Sequence, residues 1–129
     1  MKGMSETALK VLVAEDQEIN RFIIGKIFSK IGLIPEFAIN GGEAYSAICT
    51  KTYDLVFMDI QMPIMTGIEV VEKLQKLQIT LPKIVALTSN SSPSMHDAAL
   101  RAGMDNVFLK PLDSHALQSI LKTYAPQPQ

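Results

Sequence analysis

The feature that most constrains this chain is a recurring alternation. Five short apolar runs, at residues 10–14, 34–38, 55–58, 83–87 and 106–109, are separated by stretches whose apolar residues recur at helical spacing. Runs this short and this rich in Val, Ile and Leu read as strands buried on both faces. From Ile19 the set Ile19, Phe22, Ile23, Ile27 and Ile31 steps by three and four, and Gly32 follows as a helix stop. A second helix spans about Gly42 to Thr50 with Ala44, Ala47 and Ile48 on one side, and a third carries Ile68, Val71 and Leu74. A short fourth helix runs around Met95 to Arg101 before Gly103, and a fifth begins at Ser114 with Asp113 as its N-cap. Five strands alternating with five helices predict an α/β fold: a flavodoxin-like, doubly wound, five-stranded parallel sheet in the order 2-1-3-4-5.

Composition sets the outer bounds. At 129 residues the chain suits one domain with a single core, and its one cysteine, Cys49, cannot form a disulfide within the chain. No apolar stretch is long enough for a signal peptide or a membrane span, so the expectation is a cytoplasmic domain without membrane contact. Twelve basic against thirteen acidic residues, with no basic cluster, argue against direct nucleic-acid binding. Residues 10–124 are expected to form the domain, with 1–9 an unstructured segment and 125–129 a short stub.

The polar residues that close the apolar runs carry the chemistry. Glu15 and Asp16 follow the first strand, Asp59 the third, Thr88 the fourth and Lys110 the fifth. In open α/β sheets ligands sit outside the carboxyl ends of the strands where the order reverses, which puts Asp16 and Asp59 in one crevice. Three carboxylates gathered there repel one another and call for a positive partner. A hard divalent cation such as magnesium answers this with oxygen ligands, and Lys110 and Thr88 add a cation and a hydroxyl suited to a phosphate. A carboxylate can itself take a phosphoryl group, and Asp59 stands singly in the middle.

Taken one at a time, each of these residues has a bland role. Glu15 and Asp16 could cap a helix, Asp59 could serve a turn, Lys110 could be a solvated charge and Thr88 a loop hydroxyl. Only their joint placement points to a site. His96 and His115 read as surface histidines, Cys49 as a small packed hydrophobe and Met58 as core, while Met62, Pro63, Met65 and Gly67 shape the loop after Asp59.

Four segments, GluAsp at 15 and 16, AspLeuValPheMetAspIleGlnMetProIleMetThrGly at 54–67, AlaLeuThr at 86–88 and LysPro at 110 and 111, resemble the receiver domain of two-component response regulators. The likeness covers about residues 10–122. It implies that Asp59 is the phospho-acceptor, that Glu15, Asp16, Asp59 and the Gln61 backbone carbonyl hold Mg2+, that Thr88 follows the phosphoryl group, that Lys110 pairs with it, and that the Lys110–Pro111 peptide is cis. The implied activity is acceptance of a phosphoryl group from a phosphohistidine, with slow hydrolysis of the acyl phosphate and no turnover of a separate substrate. The implied partner is a histidine kinase or histidine phosphotransfer protein, with a weak homodimer as a further association. Residues 15–21, GluAspGlnGluIleAsnArg, resemble receivers attached to hybrid sensor kinases, in which case the domain would be the cytoplasmic part of a membrane-bound sensor; a stand-alone regulator is the other reading. One departure stands out: Val107 occupies the place where many receivers carry a switching aromatic, and alternation should turn the neighbouring Phe108 to the other face.

Readings of other classes fit less well. A phosphatase with an aspartyl nucleophile would want a second acid two residues after Asp59, where Gln61 stands, and a flavin module would want a hydroxyl-rich loop in place of GluAspGlnGlu. A pseudo-receiver working by binding alone has no need of Asp59, both acids, Thr88 and Lys110 together.

Overall fold

In a computed structural model residues 9–124 are described, and they fold as β1 (Val11–Ala14), α1 (Glu18–Lys30), β2 (Glu36–Ala38), α2 (Gly41–Thr50), β3 (Leu55–Asp59), α3 (Gly67–Gln75), β4 (Lys83–Thr88), α4 (Pro93–Ala102), β5 (Asn106–Leu109) and α5 (Ser114–Tyr124). The strands pair in parallel in the order β2-β1-β3-β4-β5, as the alternation predicts. The register aligns Ala14 with Met58 and Asp59 with Leu87, so the carboxyl ends of β1, β3 and β4 finish along one edge. The two ends read as unstructured lie outside the described residues, apart from Leu9, which packs against the core.

Side-chain alternation splits the core in two. Leu12, Ala14, Val56, Met58, Ile84 and Ala86 face the layer of α2, α3 and α4, while Val11, Val13, Leu55, Phe57, Val85 and Leu87 face α1 and α5. Phe28 of α1 meets Phe57 edge-on with ring centroids 5.8 Å apart. Helix starts are set by local chemistry: the side chains of Asn40, Thr66, Ser92 and Asp113 accept N–H groups of the first turns of α2, α3, α4 and α5, and Thr66 with Glu69 forms a reciprocal capping box. Gly103 ends α4 in the left-handed region at φ 118°.

Four expectations need correction. The second strand begins at Glu36, not Ile34: Pro35 has no N–H for the ladder, and Ile34 is 92% exposed. In α1 the residues that enter the core are Ile24 and Phe28, with Ile27 and Ile31 at the margin, whereas Ile19, Phe22 and Ile23 lie exposed. Two apolar stripes run along this helix, and spacing alone could not say which one meets the sheet. Cys49 is exposed, because Ala44 and Ile48 take the buried face of α2. Met62, expected only to shape a loop, is buried in the core.

Close backbone approach fixes the loop after β3. Gly67 N donates to Ile60 O at 2.8 Å. A Cβ at Gly67 would stand 2.4 Å from Asp59 O, and one at Gly41 would press on the Met65 carbonyl. Gly67→Ala is therefore expected to cost about 1–3 kcal/mol, read as a lower urea midpoint with an unchanged m-value.

Candidate functional site

Each site residue arrives at the edge for its own local reason. Glu15 follows β1 directly, and its N–H donates to Ala38 O at 2.9 Å, so the chain is held in line with the strand for one residue more. Asp59 is the last residue of β3 and Thr88 the last of β4. Lys110 follows β5, where its N–H donates to Thr88 O at 2.8 Å and its peptide bond to Pro111 is cis, as the resemblance implied.

The side chains converge. One oxygen from each of Glu15, Asp16 and Asp59 lies within 4.8 Å of the others, with Glu15 and Asp59 buried and Asp16 half-buried. The Lys110 ammonium donates to Glu15 Oε1 at 2.7 Å and to Asp59 Oδ2 at 3.0 Å. Asp59 Oδ1 accepts the Gln61 N–H at 3.1 Å, which leaves this carboxylate with one donor on each oxygen. Among the described residues no buried side-chain nitrogen or oxygen lacks a partner. The donor set of three carboxylates suits a hard divalent cation, and this cluster could bind one.

The electrostatics of the two buried acids diverge. Burial pushes the Asp59 carboxyl up, and the charge of Glu15 adds to this, so that it stays above the usual range despite the hydrogen bond and charge of Lys110 and the Gln61 amide. Burial also pushes Glu15 up, but hydrogen bonds from Lys110, Gln17 and Asn20 outweigh it and hold that carboxyl low. Lys110 loses solvation yet is held above the ordinary lysine value by both acids. The shared ammonium is thus the closer partner of Glu15, in accord with its shorter bond.

Thr88 is buried, and its hydroxyl accepts the Asn90 N–H at 3.0 Å while Asn90 Oδ1 accepts from Ser92 N at 2.9 Å. The hydroxyl thereby shapes the β4–α4 loop beside the site. Val107 packs toward the α4 layer and Phe108 toward α5, as strand alternation requires. His96 and His115 are exposed on separate helices. A small cavity of about 100 Å³ opens beside Glu15 and Lys110, walled by Ile23, Ile24, Leu87 and Leu112. Two residues that the sequence reading left without a role also touch the acidic pair: Asn20 Nδ2 donates to Glu15 Oε2 at 3.3 Å, and Arg21 Nη1 donates to the Glu15 carbonyl at 3.0 Å. Their place four and five residues after Asp16 was the available signal.

A parallel α/β sheet with a lysine-bridged acidic cluster at its carboxyl edge defines a class of phosphoryl-handling domains. The sequence narrows this further. The family model described as response regulator receiver domain matches residues 11–122, and the chain belongs to that family, the receivers of two-component systems. It is 36% identical over 129 residues to hybrid signal transduction histidine kinase G of Dictyostelium discoideum, covering 97% of this chain and 4% of that protein. It is 38% identical over 119 residues to the aerobic respiration control sensor protein ArcB of Escherichia coli, covering 91% of this chain and 15% of that protein. The chain therefore spans only a small part of these two relatives. Among solved structures it resembles a chain of the complex between the Saccharomyces cerevisiae histidine phosphotransfer signaling protein Ypd1 and the receiver domain of Ssk1, at TM-score 0.84 and 29% identity, covering 92% of this chain and 89% of that one. Among the described residues no helix is long and apolar enough to cross a membrane.

The divergence of the two acids sets a pH dependence. A carboxyl whose folded pKa is raised contributes stability below its unfolded value and loses it as pH rises through the folded value, so ionised Asp59 weakens the fold at neutral pH. Glu15, held low, contributes above its unfolded value and loses that contribution as pH falls through its folded one. Asp59→Asn should therefore raise the urea midpoint at pH 7 in EDTA, and the gap to the parent should narrow as pH falls toward about 4, near the ordinary carboxylate range.

Proposed function

We propose that Asp59 accepts a phosphoryl group from a phosphohistidine of a histidine kinase or histidine phosphotransfer protein. The observation that carries this is the Lys110 ammonium bridging Glu15 and Asp59 within a cluster of three carboxylates at the strand ends. In the transfer an Asp59 carboxylate oxygen forms a bond to phosphorus as the phosphorus–nitrogen bond of the donor breaks, and the leaving imidazole nitrogen keeps the electron pair and takes a proton. Lys110 exchanges its bond to Asp59 Oδ2 for one to an incoming phosphoryl oxygen while Glu15 retains its other hydrogen. Thr88, the last residue of β4, supplies a hydroxyl that can leave Asn90 for a phosphoryl oxygen.

Asp16, Asp59, Glu15 and the Gln61 carbonyl are the groups that would hold Mg2+. When bound, the ion offsets negative charge on the transferring phosphoryl oxygens. Support for the donor comes from the identity to hybrid kinases and from the likeness to a receiver solved with Ypd1. The same likeness supports a place within, or serving, a hybrid kinase in the cytoplasm. Slow hydrolysis of the Asp59 acyl phosphate would return the domain to its starting state, with Gln61 and Asn90, whose N–H groups bond Asp59 and Thr88, as the residues that would tune its rate. With Val107 in place of an aromatic, the response runs through Thr88 and the β4–α4 loop.

Incubation with acetyl phosphate and magnesium, followed by intact mass, should show a gain of one phosphoryl group that EDTA and Asp59→Asn each abolish. A parent that gains nothing while it remains folded and binds magnesium would sink this reading in favour of a domain that works by binding alone. Lys110→Met should slow the gain by about 10²-fold, the scale on which loss of one charge-stabilising donor is felt, without changing the mass added.

A further inference from the structure

We propose that Asn20 is a positioning residue for phosphoryl acceptance, acting through Glu15; this rests on the reading of Asp59 as acceptor. Glu15 is 1% exposed, and its two carboxylate oxygens are loaded unequally. Oε1 takes the Lys110 ammonium at 2.7 Å, while Oε2 takes the Gln17 N–H at 3.1 Å and Asn20 Nδ2 at 3.3 Å. Arg21 Nη1 on the Glu15 carbonyl pins the backbone of the same residue. A partial rotation about the last bond of Glu15 would lift both oxygens off their donors and take Oε1 away from Lys110. The Gln17 N–H holds Oε2 from the adjoining chain and the Asn20 amide holds it from the first turn of α1, so two donors from different directions oppose this rotation.

The clamp matters because Lys110 has two anchors and must release one of them. Asp59 Oδ2 holds the ammonium at 3.0 Å, and that bond is given up when Asp59 becomes an acyl phosphate. Glu15 Oε1 is then the anchor that keeps the ammonium in the cleft. Asn20 fixes Glu15, Glu15 fixes Lys110, and Lys110 meets the phosphoryl oxygens. A glutamate at position 15 has one more rotatable bond than an aspartate, so its orientation needs this additional donor.

Two substitutions separate positioning from a merely structural role. Asn20 lies in the first turn of α1, where alanine favours the helix and aspartate complements its macrodipole, so by helix propensity and macrodipole alone neither variant weakens α1 and Asn20→Asp is the milder change. Positioning reverses that order. Asn20→Ala should slow the magnesium-dependent phosphoryl gain from acetyl phosphate on the order of tenfold, and Asn20→Asp should slow it further because an acceptor then faces Glu15 Oε2. In a Glu15→Gln background Asn20→Ala should add almost nothing. The ¹H–¹⁵N signal of the Lys110 ammonium, recorded without acetyl phosphate, should be sharp in the parent and shifted or broadened in Asn20→Asp. Parent-like rates with an unchanged ammonium signal in Asn20→Asp would overturn the proposal. If the parent itself gains no phosphoryl group, the reading of Asp59 fails, and the ammonium signal alone decides whether Asn20 orders Glu15 and Lys110.

Discussion

The interaction on which the rest of the site depends is one ammonium shared between two buried carboxylates. Glu15 and Asp59 are 1% and 5% exposed, and burying two such groups unpaired would cost more than the fold could spare. Lys110 makes the arrangement tolerable by donating to both, at 2.7 and 3.0 Å. It does not satisfy them equally. Glu15 gains two further donors and stays readily ionised, while Asp59, with a single backbone N–H besides the lysine, is left as the more strained anion. A strained carboxylate beside a cation that can change partners is a suitable acceptor for a group that brings its own oxygens.

The scaffold makes this possible by geometry more than by sequence proximity. Lys110 is 95 residues from Glu15 and 51 from Asp59, yet parallel pairing in the order β2-β1-β3-β4-β5 brings the ends of β1 and β3 side by side and sends β5 back to them past β4. The loop between β3 and α3 is held by contacts with no room to spare: Gly67 lies against the Asp59 carbonyl, and Gly41 against Met65. Rigidity at the acceptor contrasts with the β4–α4 loop, which is tied by the short relay from Thr88 through Asn90 to Ser92. Hydrogen bonds of that kind can be exchanged singly, which is why the proposed response to a phosphoryl group is assigned to that loop.

The substitution of Val107 for a bulkier ring fits the same picture. Val107 packs against the layer of α4, and Phe108 is committed to the opposite side with α5, so β5 has no aromatic free to move between exposed and buried positions. On the proposed function, the response to phosphorylation passes through backbone and loop on this side of the sheet.

Read as a sequence, the chain already determined its class. Five short, near-continuous apolar runs and the period near 3.6 between them leave few alternatives to a parallel α/β sheet, and polar residues at four strand ends can meet only at its carboxyl edge. The N-cap at Asp113 was equally legible, because capping is a local competition for free N–H groups. Tertiary structure alone decided which face of α1 is buried, since Ile19, Phe22 and Ile23 are as apolar as Ile24 and Phe28 and only the shape of the sheet distinguishes them. It also decided that Pro35 shortens an edge strand and that Cys49 faces outward. Above all it revealed how the lysine is divided between two acids and that Asn20 donates to one of them, because hydrogen-bond direction depends on side-chain rotation that no spacing in the sequence encodes.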